Sequence, residues 1–223
     1  DTNDRPYLDG VSGIAVTNLG HQHPRVTQAV AEQASRLIHT SNLFHIGLQE
    51  AVAEQLRGAT GMENMFFCNS GAEANEAAIK LARRYGDQKG IASPQIIVLD
   101  GAFHGRTLGA LSATGNQKIR EGFGPLLEGF QHVAPDDLSA VETLAAERQD
   151  IVAVLVEPIL GEGGIRPLAA DYLQGLRRLC DQHGWLLIFD EVQTGNGRCG
   201  STYVFEQLGV EPDVLLTAKG LGN

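Results

Sequence analysis

Leu186-Leu187-Ile188-Phe189-Asp190-Glu191 is a short, unbroken apolar run that ends in two acids. Unbroken apolar strands belong to parallel sheets, where helices cover both faces and neither side of the strand meets water. The run therefore reads as a fully buried strand. Asp190-Glu191 marks its exit at the carboxyl edge, where open α/β sheets bind ligands. A second run, Asp213-Val214-Leu215-Leu216-Thr217, leads into Ala218-Lys219-Gly220. If parallel to the first, it delivers Lys219 to the same edge as Asp190. An amine and a carboxylate converging on one crevice suit pyridoxal phosphate. The lysine binds the aldehyde as an imine, and the carboxylate keeps the ring nitrogen protonated so that the ring accepts electrons.

Two other readings of this stretch are weaker. An apolar strand closed by Asp-Glu also matches the magnesium-holding strand of P-loop ATPases, but the chain has no G-x-x-x-x-G-K-[ST] loop. Gly195-Asn196-Gly197-Arg198-Cys199-Gly200 fits the dinucleotide pattern G-x-G-x-x-G. That pattern should open a helix directly after the first strand of a βαβ unit. Here it follows a late strand and leads into Ser201–Phe205, no obvious helix start, so a glycine-rich loop is the better reading.

Upstream, apolar runs alternate with helical periodicity. Strands are expected at Met65–Cys68, Gln95–Asp100, Phe130–Val133 and Ile151–Val156, and helices at 71–85, 138–148 and 171–183. The first of these helices should pack through Ala74, Ala77, Ala78, Leu81 and Ala82. About six strands alternating with helices predict a three-layer, doubly wound, mostly parallel α/β sheet with right-handed crossovers. Before it, Tyr7–Leu19 reads as short strands and turns, Pro24 starts a helix through Val26, Val30, Ala34 and Leu37, and a further helix runs from 48 to 59. His21 and His23 flank a turn without an acidic or thiol partner nearby, so loop hydrogen bonding is preferred to a metal site.

Two turns carry chemistry. Ser70 with Glu73 three residues on is a capping box, enough to explain a well-started helix. The same turn, Ser70-Gly71-Ala72, offers backbone N–H groups and a helix dipole to a phosphate. Phe103-His104-Gly105-Arg106 follows a strand end, where an aromatic and a cation suit ring stacking and carboxylate binding; a core Phe beside an exposed Arg is the plainer alternative.

Composition narrows the partners. Seventeen Lys and Arg against 27 Asp and Glu give a net charge of −10, which argues against nucleic acid and anionic membranes. No run approaches a membrane span and no signal peptide is evident. Cys68, Cys180 and Cys199 fit neither a disulfide framework nor zinc, so reduced thiols in the cytoplasm are expected.

These stretches together resemble the class III (subgroup II) pyridoxal-phosphate aminotransferases of fold type I. The matching segments are YLDGVSGIAVTNLGHQHP (7–24), HTSNL (39–43), FFCNSGAEANEAAIKLA (66–82), FHGRTL (103–108), VEPILGEGG (156–164), FDEVQTGNGR (189–198) and AKGLG (218–222), in the family's order over essentially the whole chain. The resemblance implies that Lys219 is the imine-forming lysine and proton carrier, and that Asp190 pairs with the pyridine nitrogen. It implies Val192 and Phe103 on the two ring faces, with His104 beside Phe103, and Gln193 at the phenolic oxygen. Ser70, Gly71 and Ala72 would take the phosphate. Arg106 would hold the substrate α-carboxylate, Glu157 would sit near the ring, and Glu162 would act as a gate.

The resemblance also implies 2-oxoglutarate as amino acceptor and a homodimer. His39–Leu43 tilts the donor toward N-acetylornithine or N-succinylornithine, a step of arginine metabolism, rather than ornithine or 4-aminobutyrate. Cys199 stands where threonine is usual, and Asn196 and Asn223 are also less usual. The chain stops four residues past Lys219, so it reads as a fragment lacking the small C-terminal domain. Residues 1–45 would be an N-terminal segment, part of the small domain and a linker, 46–223 the cofactor-binding large domain, and an isolated copy should show low activity or none. Rivals are an isomerase of the same fold, which needs no keto acid, and an inactive binding or structural subunit.

Overall fold

Five of the apolar runs form strands of one parallel sheet in the computed structural model, which describes residues 1–223. These are β1 (Gln95–Leu99), β2 (Phe130–Val133), β3 (Ile151–Val156), β6 (Leu186–Asp190) and β7 (Val214–Leu216), in the order β2-β1-β3-β6-β7. All four pairings are parallel. A separate two-stranded antiparallel ladder joins β4 (Ile159–Leu160) to β5 (Arg166–Pro167). Every residue of β3 is buried, because successive side chains point to opposite faces of the sheet and each face is covered by a helical layer. Ile97, Leu99, Val154, Leu187 and Phe189 pack with Leu173, Leu176 and Cys180 of α8 (Ala170–His183) and with Val141 of α7 (Leu138–Glu147). Ile96, Val98, Leu155 and Ile188 pack instead with α4 (Gly71–Gln88). The expected doubly wound α/β architecture is thus present.

The chain leaves β1 toward β2 on one side and then crosses back to β3 on the other. A crevice opens at such a reversal, beyond the carboxyl ends of β1 and β3.

Two units contain these elements: Phe66–Ala218, which holds the sheet and the short helices α5 (Leu108–Ala113) and α6 (Gln117–Arg120), and Asp1–Met65 with Lys219–Asn223. The latter contains a short turn α1 (Ser12–Ala15), α2 (Pro24–Arg36), α3 (Gly47–Thr60) and a 3₁₀ turn over Lys219–Gly222. Gly61, at φ 73°, closes α3 by donating its N–H to Arg57 O at 2.9 Å. Asn223 ties the last residues to this unit: Oδ1 accepts from Leu19 N at 2.8 Å, and Nδ2 donates to Gly20 O at 3.2 Å. No helix in the chain is long and apolar enough to cross a membrane.

Several expectations need correction. Tyr7–Leu19 contains no strand, because Asp9 Oδ1 accepts from Val11 N (3.0 Å) and Ser12 N (2.8 Å) and turns the backbone there. Met65–Cys68 is also not a strand, and Phe66 is 77% exposed. An apolar run becomes a strand only where a neighbour completes its ladder, and this one has no such neighbour. On α4 the inward face is Ala74, Asn75, Ala78, Ile79, Ala82 and Gly86; Leu81 faces solvent. Downstream of the glycine-rich loop, where no helix start was expected, lies a short helix, α9 (Val204–Leu208), whose Glu206 accepts from Tyr203 N at 3.0 Å.

Candidate active site

Glu191 explains α9, and it separates the roles of the two acids that end β6. Its carboxylate is fully buried and accepts from Val204 N (2.7 Å), Phe205 N (2.9 Å) and Thr194 Oγ1 (3.0 Å). The first N–H groups of a helix lack partners within it, so a buried carboxylate there is a cap. Burial still pushes the Glu191 carboxyl above its ordinary range, against these donors. Glu191 is structural.

Asp190 points elsewhere. Its carboxylate is 4% exposed, with Oδ2 accepting from Asn75 Nδ2 at 2.9 Å and facing His104 Nδ1 at 2.8 Å. Oδ1 accepts from Val192 N at 3.1 Å. Asn75 also donates to Gly71 O at 3.1 Å, which joins the acid to the first turn of α4. His104 N in turn donates to Thr114 Oγ1 at 3.0 Å. Two buried polar atoms of this cluster, His104 Nε2 and Asn75 Oδ1, have no partner within the protein. Buried polar atoms without partners are uncommon and mark a place for a polar ligand.

The first turn of α4 is built for close approach. Ser70 caps it, its Oγ accepting from Glu73 N at 3.2 Å, while Glu73 Oε2 turns back to Asn69 N at 2.6 Å. A Cβ added at Gly71 would lie 2.7 Å from Val192 Cγ1, so glycine is needed for α4 to reach the end of β6. Gly105, at φ 138°, would bring a Cβ within 3.0 Å of Ala72 Cβ, which seats the Phe103–Arg106 loop on the same turn. The N–H groups of Gly71 and Ala72 thus start a helix where Val192, Gly105 and Asp190 converge.

Glu157 lies across the crevice between β1 and β3. It is 5% exposed; Oε1 accepts from Phe103 N at 2.8 Å and Oε2 from Gly161 N at 3.2 Å. Burial pushes its carboxyl up to about 7, opposed by His104 and reinforced by Asp190. The folded protein therefore keeps a proton that the unfolded chain releases from about pH 4.5 upward. Stability should fall as pH rises from 4.5 to 7. Glu157→Gln should flatten this dependence, by about 1–3 kcal/mol between pH 5 and 8 in urea titrations. Parallel pH curves for the two proteins would contradict the assignment.

The remaining residues are placed as follows. Gln193 lies against Gly161, where an added Cβ would fall 1.6 Å from Gln193 Oε1. Arg106 is exposed, its guanidinium carbon 5.8 Å from the centre of the Phe103 ring. Glu162 is exposed between β4 and β5. Lys219 belongs to the other unit and adopts φ 46°, a left-handed conformation uncommon for a side-chain-bearing residue. The structure thus gathers Ser70, Gly71, Ala72, Phe103, His104, Glu157, Asp190, Val192 and Gln193 at one sheet edge. Asn75 was missing from the sequence reading. A polar residue between Ala74 and Ala78 on the packing face of a helix was the signal.

The cluster fits pyridoxal phosphate. Asp190 Oδ1 has capacity for one more donor, as a protonated ring nitrogen requires. The first N–H groups of α4, beside residues with little or no side chain, suit the phosphate.

The family model "Aminotransferase class-III" matches residues 1–223. The chain is 56% identical, over its full length, to the acetylornithine aminotransferase of Nitrosomonas europaea and covers 57% of it. It is 50% identical to that of Halalkalibacterium halodurans, again over its full length and 56% of the relative. Among solved structures, the N-acetylornithine aminotransferase of Stenotrophomonas maltophilia superposes with a TM-score of 0.82 at 39% identity, over 96% of this chain and 53% of that one. The ornithine aminotransferase of Toxoplasma gondii gives 0.93 at 34%, over 98% and 52%. The chain spans little more than half the length of the curated relatives it matches.

Proposed function

The chain belongs to the class-III aminotransferase family, and from that premise we propose that it transaminates N-acetylornithine with 2-oxoglutarate, yielding N-acetylglutamate 5-semialdehyde and glutamate. The observation that carries the chemistry is the buried Asp190, held by Asn75 and His104 beside the first turn of α4. The donor is supported by the relatives at 49–56% identity, which carry the acetylornithine aminotransferase name. N-succinylornithine shares the acylated-ornithine chemistry. Ornithine is the second reading, favoured by the Toxoplasma structure.

Pyridoxal phosphate, when bound, supplies an aldehyde and an electron-withdrawing ring. Asp190 would hold the proton on the ring nitrogen, and its own burial makes that contact strong because little water screens it. Asn75 and His104 fix the orientation of the carboxylate. Gly71 and Ala72, with Ser70, would hold the phosphate; Val192 and Phe103 would confine the ring and Gln193 its phenolic oxygen. Lys219 Nζ would take the proton from the substrate carbon that bears the reacting amine and return it to the cofactor's C4′ carbon, on the far side of the nitrogen. Arg106 would orient the substrate carboxylate, with Glu162 gating between the two substrates. Glu157, with a carboxyl near neutrality, can hold or release a proton beside the ring.

The resemblance supports a homodimer in the cytoplasm, with residues 46–223 as the large domain. The test is the visible spectrum of the cofactor-loaded protein that carries this chain. N-acetylornithine should bleach the visible band faster than ornithine or 4-aminobutyrate do, and 2-oxoglutarate should restore it. Faster bleaching by another amine moves the substrate and keeps the chemistry. Recovery without any keto acid would favour an isomerase, and absence of a band a binding protein.

A further inference from the structure

The glycine-rich loop that failed as a dinucleotide motif makes an unexpected pair of contacts. Asn196 Nδ2 donates to Thr217 Oγ1 at 3.0 Å and to Ala218 O at 3.1 Å. These are the last two residues before Lys219, and the Ala218 carbonyl belongs to the peptide that joins them to it. We propose that Asn196 is a positioning residue for Lys219: it fixes the plane of the Ala218–Lys219 peptide, and so the point and direction from which the lysine side chain departs.

Three observations carry this. The first is that Lys219 needs restraint. Its φ of 46° lies in the left-handed region, which a residue with a side chain keeps only when its surroundings over-determine it. A hydrogen bond to the preceding carbonyl acts on that torsion directly. The second is that Asn196 is itself rigidly mounted. Gly195 N donates to Glu191 O at 3.0 Å, and a Cβ at Gly195 would fall 2.7 Å from the Tyr203 ring. Tyr203 is fully buried, and its hydroxyl bonds the same Thr217 Oγ1 at 3.3 Å, from the end of the loop that leads into α9. The buried Glu191 anchors both ends, through its own carbonyl at Gly195 and its carboxylate at α9. The third is that the position asks for two properties at once. Asn196 has φ 58°, a conformation that Asn, Asp and Gly tolerate best. Of these three, asparagine alone carries an N–H donor on its side chain.

The inference rests on the reading of Lys219 as the amine that takes the cofactor, and its test separates the two. Asn196→Gly keeps the backbone conformation and removes the amide. Asn196→Asp keeps shape and backbone and sets an acceptor against the Ala218 carbonyl. Each variant is prepared free of cofactor in the protein that carries this chain, and two quantities are followed. These are the rate of capture of added pyridoxal phosphate and the pH midpoint of the visible band.

Misplacement of a reacting group by an ångström costs up to about 10²-fold in rate, so Asn196→Gly should capture the cofactor about tenfold more slowly, and Asn196→Asp more slowly still. The pH midpoint should move by about one unit, since the environment of the lysine nitrogen changes. The thermal midpoint of the cofactor-free protein should fall far less than capture does. Capture at the parental rate with an unmoved pH midpoint would overturn the role of Asn196 and leave Lys219 in place. So would slowing that merely tracks thermal stability in both variants. A parental protein whose visible band survives Lys219→Ala would overturn the reading of Lys219, and the role of Asn196 with it.

Discussion

Lys219→Ala is expected to lower transaminase turnover by about 10⁴-fold or more, because in the proposed mechanism one side chain would serve as both nucleophile and proton carrier. Either role alone has effects in that range, and losses from one residue in both roles fall on the same steps. Alanine makes the same demand on the backbone as lysine at φ 46°, so the substitution removes the amine without a new conformational cost. The sheet should be untouched, since β7 ends at Leu216 and its ladder to β6 runs through Val214, Leu215 and Leu216. Turnover and the thermal midpoint, measured side by side, check both parts. Turnover within tenfold of the parent would remove Lys219 from the chemistry. A collapse of the thermal midpoint would show instead that the residue holds the fold.

The second large effect belongs to Asp190. Asp190→Ala removes the acceptor of Asn75 Nδ2 and the partner of His104 Nδ1, all three residues being buried. Deleting the acceptor costs about 1–3 kcal/mol, because His104 Nδ1 stays buried without its partner while Asn75 Nδ2 keeps only Gly71 O. Turnover should fall by about 10²–10³-fold or more as well, since a preorganised charge at a reacting ring is worth that much. Asp190→Asn separates the effects: its shape and one acceptor remain, so stability should largely recover while turnover does not. Recovery of both would mean that the carboxylate charge has no part in the reaction.

The sheet was legible in the sequence because its three inner strands, β1, β3 and β6, are buried on both faces. Ile151–Val156 could not be read otherwise, and Phe189-Asp190 marked where the apolar run ends. The turn at Ser70 was legible for a local reason, as capping residues act on N–H groups three positions away. What the sequence concealed are contacts between distant residues. Asn75 and Asp190 are 115 positions apart, and His104 and Asp190 86 apart, so no local pattern links them. Glu191 looked like half of an acidic pair, yet it caps a helix 13 residues on, whose own local signal is Glu206 accepting from Tyr203 N. Met65–Cys68 failed for the complementary reason. Apolar content suggests a strand, but a ladder needs a second strand, and composition does not supply one.

The proposal that Lys219 carries the cofactor is tested most directly by locating the covalent bond. The chain has four lysines: Lys80, Lys89, Lys118 and Lys219. The cofactor-loaded protein is treated with borohydride, digested, and its peptides are weighed for an added pyridoxyl phosphate group. The added mass is predicted on the peptide containing Lys219 and on none of the other three. Mass on Lys80, Lys89 or Lys118 at comparable yield, or on no lysine of the chain, would contradict the account.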